Sequence, residues 1–355
     1  ILWQIKTVLL KKLFTLFLLC CSSIVLAQTI KGRILDETNQ PLFGANIYLD
    51  GTSIATVSNE NGIFQLTVPS KINASLVISY IGYQSVTVDS YSATEDLQIK
   101  LQPSTNSLKE VVVKKNRFSR KEMLKLFREQ FLGDTKAGRK AIITNEADID
   151  FEYDEKYKVL IATSDKPLII QNPVLGYEVV YEISSFVVEF HSLSIDSRDV
   201  HKILFTGVSR FTETDKTSKV INERLKSYRG SVLHFFRSLV SDKMAENQFL
   251  LVKNKKVASV KNNFIFKDNS GLKEVNLTDK PVQITSKNAL VDSKFYSHYQ
   301  ISFDKSRTSA VTFLTPVFNV DQFGIHSNVQ DILFAGDMSN KRIGDLLPTN
   351  YGIEE

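Results

Sequence analysis

Short apolar segments separated by turn residues fill the N-terminal part of the sequence and constrain its fold more than any other feature. Each segment has four to six residues and is bounded by Gly, Pro, Asn or Asp, which is typical of strands in a small all-β domain. Their spacing predicts a seven-stranded β-sandwich over residues 28–102. The clearest segments are Ile30–Leu35, Ala45–Leu49, Ile63–Val68, Leu76–Tyr80, Ser85–Val88 and Leu97–Leu101.

Several motifs in this region are similar in type and spacing to those of a known family. They are Ile30-Lys31-Gly32-Arg33-Ile34, Gln40-Pro41-Leu42-Phe43-Gly44-Ala45-Asn46-Ile47, Gly51-Thr52, Asn61-Gly62-Ile63-Phe64 and Ser79-Tyr80-Ile81-Gly82-Tyr83. The set resembles the carboxypeptidase-D-regulatory-like domain of Bacteroidetes, and the resemblance implies a transthyretin-like sandwich. Gly51 and Gly62 fall where hairpin turns require a positive φ, which suits glycine.

The same resemblance extends to a second feature just after this domain. In starch-utilisation-type TonB-dependent receptors the domain is usually followed by a Leu-x-Glu-Val-Val-Val strand, and residues Leu108–Val113 match it. About 240 residues follow Val113, too few for the plug and barrel of such a receptor. We therefore expect the regulatory-like module without the transporter.

The first 27 residues read as a signal peptide. Three lysines, the last of them Lys12, precede the apolar run Leu13–Leu26, which is about as long as a signal-peptide core and short for a membrane span. Cleavage is expected after Ala27, with export to the periplasm or the outer membrane. No later apolar stretch predicts a spanning helix, so any membrane association is expected to be peripheral.

The two cysteines, Cys20 and Cys21, both lie in this leader. The mature chain is therefore expected to have no disulfide, no thiolate nucleophile and no cysteine-bound metal. Leu19 precedes Cys20 where an acylated cysteine requires a small residue, so lipidation is not expected.

A basic connector, residues 103–140, is expected to contain the strand after the sandwich and an amphipathic helix. Residues 109–140 hold eleven Lys or Arg and four Asp or Glu. Ser119 and Glu122 form a capping box, and Gly133 stops the helix. The apolar face would comprise Met123, Leu124, Phe127 and Phe131. The helix either packs on the next domain with its charges in water or docks on an acidic surface or phospholipid headgroups.

The remaining residues, 141–355, are predicted to form a larger β-rich region with one or two helices, as one sandwich or two subdomains. One helix is expected after Ser231, because Val232, Phe235, Phe236, Leu239, Val240 and Met244 share an apolar face. The predicted strands are Tyr177–Phe190, Ile203–Phe211, Phe249–Lys253, Leu290–Phe303 and Val311–Val320. Motifs such as His234-Phe235-Phe236-Arg237 resemble an uncharacterised Bacteroidetes family that implies no activity.

The sequence does not contain the motifs of the common hydrolases. A metallocarboxypeptidase motif needs Glu three residues after His. None of the five histidines has it; they are His191, His201, His234, His298 and His326. No His-Glu-x-x-His is present either. Gly207-Val208-Ser209-Arg210-Phe211 lacks the second glycine of a serine-hydrolase elbow. We expect no catalytic site and no cofactor.

Two groups of residues remain as candidate sites. Asp148, Asp150, Glu152 and Asp154 alternate with apolar residues, which on a strand gives either a solvated face or a Ca²⁺ site. Carboxylates two residues apart lie about 7 Å from each other, so one ion would reach two of them. Arg229 and Arg237, with His234, form a candidate anion or partner site at a helix N-terminus. His234 alone is better interpreted as a hydrogen-bonded core or interface histidine than as a base.

These observations favour a non-catalytic accessory protein of the cell envelope. From the resemblance we expect protein partners in an outer-membrane complex for barrel assembly, secretion or nutrient import, bound through sheet surfaces or an exposed strand edge. The net charge of +5 is too modest to suggest nucleic acid. The alternatives are a glycan- or peptide-binding envelope protein, disfavoured because Trp3 is the single tryptophan and leaves with the leader, and a hydrolase with dispersed acids.

Overall fold

The structure is a computed structural model and describes residues 27–69, 72–92, 94–104, 117–269, 272–284 and 293–353. The predicted signal peptide, except Ala27, and the predicted strand Leu108–Val113 lie outside these residues. No helix in the described part of the chain is both long and apolar enough to cross a membrane.

Seven strands form the N-terminal module, as predicted, in two facing sheets. One sheet has the order β4-β1-β7 and the other β3-β2-β5-β6. The strands are β1 Ala27–Leu35, β2 Asn46–Leu49, β3 Ala55–Val57, β4 Ile63–Pro69, β5 Leu76–Ser79, β6 Val86–Val88 and β7 Asp96–Lys100. Inward-facing apolar side chains such as Ile30, Ile47 and Phe64 fill the space between the sheets. Gly51 and Gly62 have φ of 70° and 73°, which confirms the predicted turn conformations.

The predicted connector helix is α1, Arg120–Leu132. Ser119 and Glu122 form the capping box and Gly133 follows the last turn, both as predicted. Phe127 and Phe131 are fully buried against the neighbouring sheet, with the Phe127 ring centroid 4.6 Å from that of Phe186. A short helix, α2 Lys136–Lys140, leads into that sheet. The apolar face of α1 thus belongs to the core of the middle region.

Six strands form the sheet of the middle region. They are β8 Ile142–Ile143, β9 Ile149–Asp154, β10 Val159–Ser164, β11 Leu168–Asn172, β12 Tyr177–Phe190 and β13 Val200–Glu213. On one side of β12, β11 pairs with its first half and β10 with its second half, while β13 pairs along its whole length. A bulge at Ser184 shifts the inward face of β12 from odd to even residues. Strand β13 therefore forms a long edge of this sheet.

The C-terminal region has its own apolar core. Helix α3 Ser218–Tyr228 leads from β13 towards this region and packs on the middle region, where Arg224 donates to the carbonyl of Leu175 at 2.7 Å. The helices of the C-terminal region are α4 Val232–Val240, α5 Val260–Asn263 and α6 Asp337–Asn340, and α4 is the predicted helix capped by Ser231. Its strands are β14 Phe249–Lys253, β15 Lys256–Val257, β16 Phe264–Asn269, β17 Leu272–Leu277, β18 Val282–Ile284, β19 Ser293–Phe295, β20 Ser297–Phe303, β21 Arg307–Phe313, β22 Val317–Val320 and β23 Ile332–Gly336. They form the sheets β15-β14-β20-β21-β23, β16-β17-β22 and β18-β19.

Residues near the C-terminus of the chain connect the three cores. Leu347 is buried in the middle core, whereas Ile353 packs against the N-terminal core. Thr349 donates its backbone N–H to the carbonyl of Gly51 at 2.7 Å. From the C-terminal region, Phe323 inserts fully buried into the N-terminal core. The module is therefore packed against the rest of the described chain through several contacts.

Candidate functional site

The hairpin turn at Asp50–Thr52 joins the N-terminal module to the outer side of β13. Gly51 donates its N–H to the carbonyl of Ser209 at 2.7 Å, and Phe211 donates its N–H to the carbonyl of Thr52 at 2.9 Å. Thr52 and Arg210 form a parallel β-bridge. The edge of β13 is therefore already paired with an added segment at one end, through one backbone hydrogen bond that it accepts and one that it donates.

Charged and hydroxyl side chains surround this joint. Asp50 Oδ1 accepts the N–H of Ser209 at 2.6 Å, and Ser85 Oγ donates to Glu182 Oε1 at 3.0 Å. Burial raises the pKa of Asp50 to about 6, and the nearby Glu182 carboxylate adds to the rise. Burial also raises the pKa of the Tyr48 hydroxyl, which lies 3.5 Å from Glu182 Oε1. The joint therefore holds the Asp50 carboxyl in a poorly solvated place, with the Glu182 carboxylate nearby.

The outer edge of β13 continues past the joint over residues 200–208. Within the described ranges, no strand pairs with this outer side of residues 200–208. Hydrogen-bonding direction alternates along an antiparallel strand, so the backbone groups of Ile203 and Phe205 face the same side as those of Ser209 and Phe211. The side chains of Ile203 and Phe205 pack on the middle core, whereas the side chain of Leu204 is 37% exposed. We call residues 200–208 the open edge.

A row of backbone donors and acceptors at a sheet edge is a template for an added strand. The open edge has nine residues, about 30 Å of strand at ~3.3 Å per residue. Main-chain hydrogen bonds supply affinity in such pairing, and side chains of alternate residues supply specificity. The exposed side chains of His201 and Lys202 add cationic or polar contacts at the far end. The geometry suits binding of an extended peptide segment.

The four acidic residues proposed for a Ca²⁺ site do not all lie on one strand. Asp148 lies in a 3-10 turn before β9, where it accepts hydrogen bonds from Lys166 Nζ at 2.8 Å and Asn145 Nδ2 at 3.1 Å. Asp150, Glu152 and Asp154 lie on β9. Among the described residues there is no group of three or more His, Cys, Asp or Glu that could hold a metal ion.

Arg237 and His234 bond mainly inside the protein. The Arg237 guanidinium donates to the carbonyls of Phe323 at 2.9 Å, Tyr351 at 2.7 Å and Thr349 at 2.6 Å. His234 Nδ1 accepts the N–H of Gly230 at 3.1 Å, and burial, with nearby cations, lowers its pKa to about 4. These two residues therefore stabilise the packing of the C-terminal segment and of α4.

Arg229 differs from its two predicted companions. Its side chain is 45% exposed, and its guanidinium lies 3.9 Å from the Asp304 carboxylate. Its carbonyl accepts a hydrogen bond from Arg307 at 2.9 Å. Arg229 thus keeps part of its guanidinium in solvent near the start of α4.

The joint between the module and β13 could not be anticipated from the sequence. Asp50-Gly51 indicates a tight turn, which the structure has, but a turn motif does not specify its tertiary partner. The open edge lies on a predicted strand, Ile203–Phe211, yet an isolated sequence pattern cannot distinguish an edge strand from a central one.

Comparison with known proteins identifies the N-terminal module. Residues 30–113 match the CarboxypepD_reg-like domain family, which confirms the resemblance seen in the sequence motifs. The chain is 35% identical over 85 residues to the TonB-dependent receptor SusC of Bacteroides thetaiotaomicron. This match covers 24% of the chain and 8% of the receptor.

Two solved structures have weak similarity. A cohesin–X-dockerin complex from Acetivibrio cellulolyticus has 19% identity, a TM-score of 0.18, and coverage of 21% of this chain and 51% of that chain. A 9R-lipoxygenase from Cyanothece PCC8801 has 10% identity, a TM-score of 0.17, and coverage of 62% of this chain and 48% of that chain. Similarity at this level carries no argument about fold or function.

Proposed function

We propose that this chain is a non-catalytic accessory protein of the cell envelope, exported by a cleaved signal peptide and bound to an outer-membrane protein complex. The similarity of its module to part of a TonB-dependent receptor supports an outer-membrane setting. Among barrel assembly, secretion and nutrient import, that similarity favours nutrient import. The absence of hydrolase motifs in the sequence supports a binding role.

The open edge of β13 is the observation that carries this proposal. The module already adds Gly51 and Thr52 to one end of the same edge, at residues 209–211. An incoming strand on residues 200–208 would continue this pairing in the same sheet. The occupant we propose is an extended segment of an envelope protein. Because His201 and Lys202 are exposed at its end, a segment with an acidic residue opposite them fits best.

Site-specific photo-crosslinking in intact cells tests the proposal. A photoreactive amino acid replaces Lys202 in one variant and Leu204 in a second. The matched control carries it at Lys219, an exposed position on α3 away from the edge. We expect a discrete adduct with an outer-membrane protein from both edge positions and none from the control.

A competing substitution makes the result specific to strand pairing. Adding Ile203→Pro to the variant labelled at position 202 removes an outward N–H that an added strand needs, while the pairing with β12 uses the other side of β13. The adduct should then fall at least severalfold. An adduct that persists in this double variant, equal adducts from position 219, or no adduct from either edge position would overturn the proposed binding mode.

A further inference from the structure

A cleft in the C-terminal region lies where β14 separates from β20. Val252 pairs with Gln300, and the chain then turns at Asn254 and Lys255, both with positive φ, into β15. This turn leaves the next part of β20, around Ser297, uncovered by β14. The loop after β17 and the paired strands β18 and β19 form the opposite wall. The cleft has a volume of about 480 Å³, which is within the range of ligand pockets.

The charges around the cleft are mostly positive. Its lining includes Lys253, Lys255 and Lys280 and one acidic residue, Asp279. Lys253 Nζ pairs with Asp279 Oδ2, which also accepts a hydrogen bond from Ser297 Oγ at 2.5 Å. Although burial opposes ionisation of Asp279, the hydrogen bonds from Lys253 and Ser297 hold its pKa below the usual value. The carboxylate therefore stays ionised and neutralises Lys253.

Lys255 and Lys280 give the cleft a net positive charge. Both side chains are exposed, and neither makes an ion pair with another described residue. They lie on different walls, one on the β14–β15 turn and the other on the loop after β17. Cations on two walls favour a ligand with more than one negative group, because each ammonium can then take its own anion.

The rest of the lining is suited to hydroxyl groups and to flat apolar faces. Asn254 and Gln300 contribute amides, which both donate and accept hydrogen bonds. His298 Nδ1 lies 2.8 Å from Thr312 Oγ1, a contact that orients the imidazole ring at the rim. Phe295 and Tyr296 also line the cleft; both residues are partly exposed, and Tyr296 packs against the C-terminal core as well. Amides beside aromatic rings are a combination that recognises sugar rings by their hydroxyls and their C–H faces.

We propose that this cleft binds an acidic oligosaccharide, one whose sugar rings carry carboxylates, as in a short uronic acid polymer. Lys255 and Lys280 bind the carboxylates, Asn254 and Gln300 the hydroxyls, and the aromatic rings one sugar face. The cleft belongs to the C-terminal core and the open edge to the middle sheet. The inference therefore goes beyond the proposed accessory function and does not depend on it.

Calorimetric titration of the purified protein tests the inference. The probes are trigalacturonate, a neutral trisaccharide of the same length and a triglutamate peptide with the same number of side-chain carboxylates. We expect trigalacturonate to bind, with an affinity that falls as salt is added, because the contacts to the lysines are partly exposed. The neutral sugar and the peptide should bind at least about tenfold more weakly, since each provides one of the two sets of contacts.

Two variants and a control locate the binding to the cleft. Lys280→Ala and Lys255→Gly should each weaken trigalacturonate binding about fivefold or more, while Lys219→Ala on α3 should leave it unchanged. Lys255→Gly is informative because glycine is the preferred residue at this left-handed position of a two-residue hairpin turn. Its unfolding temperature should not fall, so its loss of binding reports the missing ammonium.

Three results would overturn the inference. They are no binding of trigalacturonate, equal binding of the triglutamate peptide, and unchanged binding in both cleft variants. Because the titration uses the isolated chain, its failure leaves the envelope crosslinks untouched. A failure of the crosslinks likewise leaves the cleft untouched.

Discussion

Asp50 accepts a hydrogen bond from the backbone N–H of Ser209 at 2.6 Å, and this contact fixes the turn of the N-terminal module on strand β13. Burial raises the pKa of the Asp50 carboxyl to about 6. The ordinary pKa of this carboxyl is 3.8. Between about pH 4 and pH 6 it is therefore protonated in the folded chain and ionised in the unfolded chain. The contribution of Asp50 to stability is therefore greatest below pH 4 and declines as the pH rises through 6.

Asp50→Asn should remove this pH dependence. The amide keeps an oxygen acceptor for the N–H of Ser209 but carries no charge that burial would penalise. The gain in the free energy of unfolding over wild type should grow from near zero at pH 4 to on the order of 2 kcal/mol at pH 7.5. Urea unfolding of both proteins at four pH values measures it. A gain that is equal at all pH values, or that also appears in the surface control Asp268→Asn, would contradict the prediction.

The three hydrogen bonds from Arg237 to backbone carbonyls should be essential to the position of the C-terminal segment. Its guanidinium donates to the carbonyls of Thr349 and Tyr351 from that segment and of Phe323 from the loop that enters the module core. Lysine keeps the charge but cannot reach three carbonyls in different directions. Arg237→Lys should lower the free energy of unfolding by about 2 to 4 kcal/mol, because charged donors contribute more than neutral ones.

Limited proteolysis separates this effect from general loss of stability. In Arg237→Lys, cleavage within residues 346–353 should appear at protease concentrations that leave wild type intact. Arg139→Lys is the matched control, since Arg139 is exposed and pairs with the exposed Asp134. If both variants are cleaved alike, or the C-terminal segment stays protected in Arg237→Lys, the role assigned to Arg237 is wrong.

Local features were predicted well from the sequence because they depend on neighbouring residues. The capping box of Ser119 and Glu122, the helix after Ser231 and the strand Tyr177–Phe190 all have the predicted positions. The predicted strand Val311–Val320 is in fact β21 and β22, with a turn at Thr315 and Pro316 between them, and proline lacks the N–H that a continuous ladder needs.

Features that depend on distant residues were not predicted. Arg237 was a candidate anion or partner residue by its position near a helix start, but its acceptors lie 86 to 114 residues away in the sequence. Helix α3 is not among the sequence predictions, because its buried face consists of Val220 with the polar residues Arg224 and Ser227 and does not form an apolar stripe. The cleft likewise joins residues from β14, β20 and the loop after β17, which no sequence window contains together.

Two glycines of the module provide a test of backbone conformation against close packing. Gly44 and Gly62 have φ of 78° and 73°, so alanine at either position occupies the same disfavoured left-handed region. A Cβ at Gly44 would meet no atom within 4 Å, whereas one at Gly62 would lie 2.4 Å from the carbonyl oxygen of Ile34. That oxygen belongs to β1, the central strand of its sheet, which cannot shift without disturbing both neighbours. Gly44→Ala should cost about 1 kcal/mol and Gly62→Ala about 3 kcal/mol or more in thermal or urea unfolding. Equal costs would mean that the turn at Gly62 relaxes away from β1, and the close contact would then have no part in fixing the hairpin.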